Sequence, residues 1–212
     1  MDKSEFTYHV GCHDKCIHGS LPSKRLKDFF KIEDTSLFVE TGTYHGDGVK
    51  WALEQPNFEK ILSTEIYEPN FLFCIERFKN VNKIDYDVSQ KINISLKDTI
   101  NFLSEKIPHI KQPTLFFLDA HGGSTDFGQN NNHIVPIVQE ISIILKHFYN
   151  FNDLMIVIDD ERLFGTEKPN AWNINDYITI KHLCSVKELV SIYIDDSIVF
   201  CRQKWLRQTV DC

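Results

Sequence analysis

The chain predicts an α/β fold: a mostly parallel central sheet with helices on both faces, closed by an antiparallel C-terminal hairpin. Three observations carry that expectation. The runs Leu37-Phe38-Val39, Leu115-Phe116-Phe117-Leu118 and Leu154–Ile158 are apolar without alternation, as strands buried on both faces require. Helix-length segments separate them, as parallel strands need crossovers. Two further strand-like runs flank Asp195-Asp196 near the end, which reads as a hairpin.

Each element follows in order. Residues 1–22 read as irregular and 23–32 as a short helix. Leu37–Val39 is the first strand, and the helical segment 46–55 follows with Val49, Trp51, Ala52 and Leu53. Residues 60–65 form the second strand, then a helix over 70–79 carries Phe71, Cys74, Ile75 and Phe78. A short strand is expected over 92–95 and a helix over 99–107. Residues 115–118 are the fourth strand, and 135–148 a helix with Val138, Ile141, Ile144, Leu145 and Phe148 at helical spacing. Residues 154–158, 191–194 and 197–202 complete the sheet. Residues 1–32 are expected to be an N-terminal extension or lid, and 33–212 the main domain.

Composition narrows the function classes. With 212 residues and 42% hydrophobic content the chain can bury a real core. No apolar run approaches the ~20 residues of a membrane span, so no membrane partner is expected. The net charge of −7 argues against nucleic acid as the main partner. Six dispersed cysteines without a secretion signal read as reduced thiols in a cytoplasmic setting, a host's cytoplasm for a viral chain. Oligomeric state is left open, a homodimer included.

The chemistry gathers where strands end. Ser36–Gly48 runs from an apolar strand through Glu40 into a turn with Gly42, Gly46 and Gly48. Such a strand–turn–helix unit makes a cradle for a nucleotide-type ligand. Its spacing is not the dinucleotide pattern G-x-G-x-x-G. Glu65, Asp119, Asp159 and Asp160 also fall at strand ends. Ligands of open α/β sheets bind there, and mutually repelling acids suit a site for hydroxyls, an ammonium-like centre or a metal.

On the reaction side, Asp119-Ala120-His121 follows one buried strand and Asp159-Asp160-Glu161-Arg162 the next. Three hard carboxylates, Asp119, Asp159 and Asp160, would suit Mg²⁺, with His121 as a general base near neutral pH. Other readings stay open: Asp119 as a loop cap, Asp159-Asp160 paired with Arg162, and His121 as a structural histidine. The polar run Ser124–Asn132 reads as a mobile loop suited to a hydroxyl-rich acceptor. His9, Cys12, His13, Cys16 and His18 crowd together without a matching second pair, so a zinc site or a lid contact remains open. Tyr67, Trp172 and Tyr177 are read as core packing or as stacking surfaces.

Val39-Glu40-Thr41-Gly42-Thr43, Thr64-Glu65-Ile66, Phe117-Leu118-Asp119-Ala120-His121, the helix opened by Pro136, and Ile158-Asp159-Asp160 with Arg162-Leu163-Phe164-Gly165 occur in one order. From about residue 36 to 165 that order resembles the Rossmann-like class I S-adenosylmethionine-dependent methyltransferases, most of all small microbial and viral Mg²⁺-dependent O-methyltransferases acting on sugars. The resemblance implies that S-adenosyl-L-methionine lies across Glu40, Thr41, Gly42, Thr43, Gly46, Glu65, Asp98 and Asp119. Glu65 would accept from the ribose hydroxyls and Asp98 from the adenine amino group, although Asp98 reads equally as a helix cap. It implies Mg²⁺ on Asp119, Asp159 and Asp160, Asp119 and His121 as catalytic groups, and His121 and Arg162 against a small-molecule or glycan acceptor. Two alternatives stand beside it: a metal-dependent nucleotide-sugar transferase, and a non-catalytic binding subunit of the same fold.

Overall fold

The apolar runs become the middle of one sheet in the computed structural model, which describes residues 8–10, 25–80, 91–120, 135–166 and 172–207. Its strands are β1 (Tyr8–Val10), β2 (Leu37–Thr41), β3 (Lys60–Glu65), β4 (Ile92–Leu96), β5 (Thr114–Leu118), β6 (Leu154–Ile158), β7 (Val190–Ile194) and β8 (Ser197–Cys201). They lie in the order β1-β7-β8-β6-β5-β2-β3-β4. β8 is antiparallel to both β6 and β7, and every other pairing is parallel. Each residue of β2, β5 and β6 is buried, which explains their unbroken apolar sequence.

Among the described residues six α-helices cover the two faces: α1 (Leu26–Phe29), α2 (Asp47–Leu53), α3 (Glu68–Phe78), α4 (Thr99–Lys106), α5 (Ile137–His147) and α6 (Ile174–Val186). Leu26, Val49, Ala52, Cys74 and Phe78 take α1, α2 and α3 into one core layer with Phe38, Ile61 and Phe117 of the sheet. Phe102, Ile141, Ile144, Ile180 and Cys184 take α4, α5 and α6 into the other layer with Val39, Phe116 and Ile156. Burying one such side chain is worth about 1.5–3 kcal/mol, so both layers favour the same sheet.

The connections fix the site. From β2 the chain moves outward to β3 and β4, then returns to β5 on the other side of β2. A crevice at such a reversal lies outside the carboxyl ends of the strands. Thr41 is level with Thr64 on one side and Leu118 on the other. Residues 40–44, 65–67 and 119–120 therefore share one edge.

Three features differ from the sequence expectation. β2 continues through Glu40 and Thr41, which lie inside the strand and not beyond it. β1 and α6 are additional elements: β1 pairs parallel with β7, and α6 is a 13-residue helix capped by Asn173, whose side chain accepts from the Asn175 amide at 2.9 Å. Residues 25–32 are anchored to the core through Leu26, Phe30 and Ile32. Leu26 and Phe30 are fully buried, Phe30 bridges to Leu206, and the Lys31 amide donates to the Trp205 carbonyl at 2.9 Å. The C-terminal segment clamps this stretch onto the domain.

Candidate functional site

The turn after β2 is wedged between its two neighbouring strands. The amides of Gly42 and Thr43 both donate to the Thr64 carbonyl at 3.0 Å, and the Asp119 amide donates to the Thr41 carbonyl at 3.1 Å. Gly42 has φ +81°, and a Cβ there would stand 2.4 Å from the Asp119 carbonyl oxygen. The segment leaving β5 approaches so closely that glycine is required here. Gly46 is the N-cap of α2 and lies against the Phe78 ring.

Tyr44 occupies the left-handed region with φ +47°, an uncommon backbone for a bulky residue. Its amide donates to Glu65 Oε2 at 2.7 Å, and the Tyr67 amide donates to Glu65 Oε1 at 2.8 Å. Glu65 is thus fixed at the end of β3 with one donor on each oxygen, leaving lone pairs on both for a ligand hydroxyl. The Tyr44 ring is about half exposed and stacks on His45, which in turn meets Phe73.

Glu40 lies beneath this turn. Its carboxylate accepts from Ser63 Oγ at 2.6 Å, and Ser63 Oγ lies 2.5 Å from Thr43 Oγ1. Gly48 makes the room: a Cβ there would sit 1.8 Å from Glu40 Oε1. Burial pushes the Glu40 carboxyl well above the usual carboxylate range, and the charges of Asp119, Glu65 and Asp47 push the same way, against the Ser63 hydrogen bond. Glu40 and Thr43, expected at the cofactor, are only 1% and 2% exposed and brace the turn from inside. Thr41 Oγ1 is buried at the switch point with no hydrogen-bond partner among the described residues. Cys74 donates to the Tyr44 carbonyl at 3.2 Å; burial first, then Glu40 and Glu65, push its thiol up to about 12, so it stays an unreactive thiol.

Asp98 caps α4. It accepts from the Asn101 amide at 3.0 Å, and that bond holds its carboxyl below the usual range. The cap reading is the one the geometry supports. Sequence reasoning missed Ile66 and Leu96 nearby. They are 58% and 42% exposed, and they follow or end β3 and β4, where Glu65 is level with Leu96. Two exposed aliphatic residues thus stand at the ends of β3 and β4, next to Glu65 in sequence or in register. The signal was present in the sequence as an apolar residue directly after a strand-end acid.

On the reaction side, the Asp159 amide donates to the Leu118 carbonyl at 3.2 Å, which sets Asp159 beside Asp119. Both are nearly buried, and Ser197 Oγ donates to Asp159 at 3.3 Å. Asp160, with φ +58°, forms an ion pair with Arg162, which also pairs with Asp196 in the β7–β8 turn. Arg162 thus ties the end of β6 to the hairpin. Among the described residues no three His, Cys, Asp or Glu side chains gather into a metal site. Of the expected Mg²⁺ ligands, Asp119 and Asp159 lie side by side, while Asp160 is paired with Arg162. His121, Ser124–Asn132 and the cluster Cys12, His13, Cys16 and His18 lie outside the described residues, and of the His9 side chain nothing is described. Trp172 and Tyr177 pack on Phe164 at 4.7 and 5.4 Å between ring centroids, within the core.

No family model matches the chain, and no curated protein matches it. Solved structures do. The methyltransferase PaMTH1 of Podospora anserina, bound to SAH, aligns with a TM-score of 0.56 at 12% identity, over 86% of this chain and 80% of that one. The O-methyltransferase TomG of Streptomyces achromogenes, in complex with SAM, gives 0.53 at 10% identity over 81% and 75%. The O-methyltransferase of Bacillus cereus, in complex with SAH, gives 0.52 at 14% identity over 80% and 74%. The fold is the Rossmann-like one these methyltransferases share. No helix among the described residues is long and apolar enough to cross a membrane.

Proposed function

We propose that the chain is an S-adenosylmethionine-dependent O-methyltransferase acting on a hydroxyl of a sugar or glycan. One observation carries the reading: two acids stand beside the Gly42 turn at the switch point, Glu65 held by the amides of Tyr44 and Tyr67, and Asp119 tied by its own amide to the Thr41 carbonyl. An acidic crevice suits a cationic ligand, and Glu65 beside Ile66 and Leu96 suits a ribose next to a flat base. The bound SAM and SAH of the structural neighbours support the same cofactor.

S-adenosylmethionine, when bound, supplies a methyl group activated on a sulfonium centre. Glu65 would accept the ribose hydroxyls through the lone pairs that Tyr44 and Tyr67 leave. Asp119, almost buried at the end of β5, would hold the acceptor hydroxyl or the base in line, so positioning supplies much of the catalysis. His121, two residues on, is assigned as the group that takes the hydroxyl proton. The polar run Ser124–Asn132 supports a hydroxyl-rich acceptor. No step is routed through Mg²⁺, because Asp160 belongs to Arg162.

Transfer of a labelled methyl group from S-adenosylmethionine to a panel of sugars and glycans tests the reading. Asp119→Asn is expected to lower turnover by about 10²-fold or more while cofactor affinity changes only a few-fold. Full activity in Asp119→Asn would refute the site. Activity that vanishes with chelator and returns with Mg²⁺ would restore the metal to the mechanism.

A further inference from the structure

The helix that follows Glu65 also holds the turn that Glu65 leans on. Tyr44 sits at φ +47°, a backbone that a bulky residue keeps only where its surroundings fix it. Side chains of α3 do the fixing. Cys74 donates to the Tyr44 carbonyl at 3.2 Å. The Phe73 ring meets the His45 ring at 5.1 Å between centroids. Phe78 lies against Gly46, where a Cβ would stand 2.6 Å from its ring. Arg77 closes the clamp: its Nη1 donates to the His45 carbonyl, and its Nη2 pairs with Asp47 at 2.8 Å. One guanidinium thus bridges the turn and the first residue of α2, which the planar fork of arginine allows and a single ammonium does not. Tyr67, the N-cap of α3, donates its amide to Glu65. Both amides that hold Glu65 therefore depend on α3. One belongs to its N-cap, and the other lies on the turn that it clamps.

We propose that Arg77 is a positioning residue for the ribose of the cofactor, acting through Tyr44 and Glu65 and not by touching the ligand. The inference rests on the reading of Glu65 as the acceptor for the ribose hydroxyls. A carboxylate with one donor on each oxygen has a fixed plane, and its remaining lone pairs keep a fixed direction. Without Arg77 the turn is released at His45 and Asp47, the Tyr44 amide loses its aim at Glu65 Oε2, and Tyr67 alone cannot hold the carboxylate plane. The fold loses little, because Asp47 is 56% exposed in its ion pair with Arg77 and such pairs add little to stability. The cost falls on the hydroxyls that Glu65 receives.

Calorimetric titration of the full chain with S-adenosylhomocysteine, and with its analogue lacking both ribose hydroxyls, tests this. Arg77→Met should weaken S-adenosylhomocysteine about fivefold or more and the analogue by less than about twofold. In a Glu65→Ala background Arg77→Met should add nothing, because the two residues act in series. Arg77→Lys keeps the charge but reaches one partner at a time, so its affinity should fall between those of the wild type and Arg77→Met. Asp47→Asn cuts the same bridge from α2 and should show the same bias between the two ligands, so the test does not hang on one variant. Circular dichroism should place the melting temperature of each Arg77 or Asp47 single variant within about 4 °C of the wild type's. An Arg77→Met chain that binds S-adenosylhomocysteine as the wild type does, or that weakens both ligands equally, overturns the proposal. The reading of Glu65 then still stands if Glu65→Ala removes the preference for the hydroxylated ligand. A Glu65→Ala chain that keeps that preference overturns both.

Discussion

A methyl group at position 42 has no room: it would lie 2.4 Å from the Asp119 carbonyl oxygen, on a backbone with φ +81°. The strain and the clash act together, so Gly42→Ala should cost at least about 2 kcal/mol and lower the melting temperature by roughly 4–8 °C. Scanning calorimetry reads that directly. Glu40 makes a prediction of the opposite kind. Its carboxyl is held well above the unfolded value near 4.5 by burial, so the folded chain binds a proton that the unfolded chain releases. That contribution is complete below the unfolded value and is lost as pH rises through the folded one. Glu40→Gln keeps an acceptor for Ser63 and removes the titration. Between about pH 5 and about pH 8 its melting temperature should therefore fall less than the wild type's, by about 2–4 °C for each kcal/mol involved. Equal pH profiles would show that Glu40 is not a proton-linked group. Glu40 and Glu65 were both visible in the sequence as carboxylates after apolar runs. Which of them sits beneath the turn and which stands at its edge was not, because that depends on Gly48 opening space for Glu40 from another element.

The elements were legible in proportion to the strength of their pattern. β2, β3, β5, β6 and the β7–β8 hairpin all stood out, since apolar runs ending in acids or turns have few other readings. The helix α6 did not. Ile174, Tyr177, Ile178, Ile180, Leu183, Cys184 and Val186 leave apolar groups all round it, so no 3.6-residue stripe marks its inner face. β1 escaped because three residues carry no periodicity, and it exists through pairing with β7. Asp98 shows how one residue satisfies two sequence readings until an element decides between them. As the N-cap of α4 it should cost about 1 kcal/mol when replaced in Asp98→Ala, with cofactor affinity changed only a few-fold. A loss of affinity as large as that of a Glu65 variant would return Asp98 to the cofactor site.

At the scale of the whole molecule, strand order is what turns scattered acids into a site. Nothing in the local sequence states that β5 lies beside β2 while β4 lies two strands away on the other side; long-range pairing does. That order brings Asp119 against Gly42 and sets Glu65 beside Tyr44, though they come from three separate segments. It also sets where the three expected metal ligands lie. Adjacent strands bring Asp119 and Asp159 together, and the β7–β8 turn carries Asp196 to Arg162, which pairs with Asp160 as well.

The most direct test is calorimetric titration of S-adenosylmethionine into the wild-type chain and into Glu65→Ala, each with and without Mg²⁺. The account predicts binding at Kd on the order of micromolar, independent of Mg²⁺, weakened about 30-fold or more by the substitution as charge-assisted hydrogen bonds to the ribose are lost. A wild type that binds no S-adenosylmethionine in either condition, or a folded Glu65→Ala chain that binds it as tightly as the wild type, would contradict the assignment of this crevice as the cofactor site.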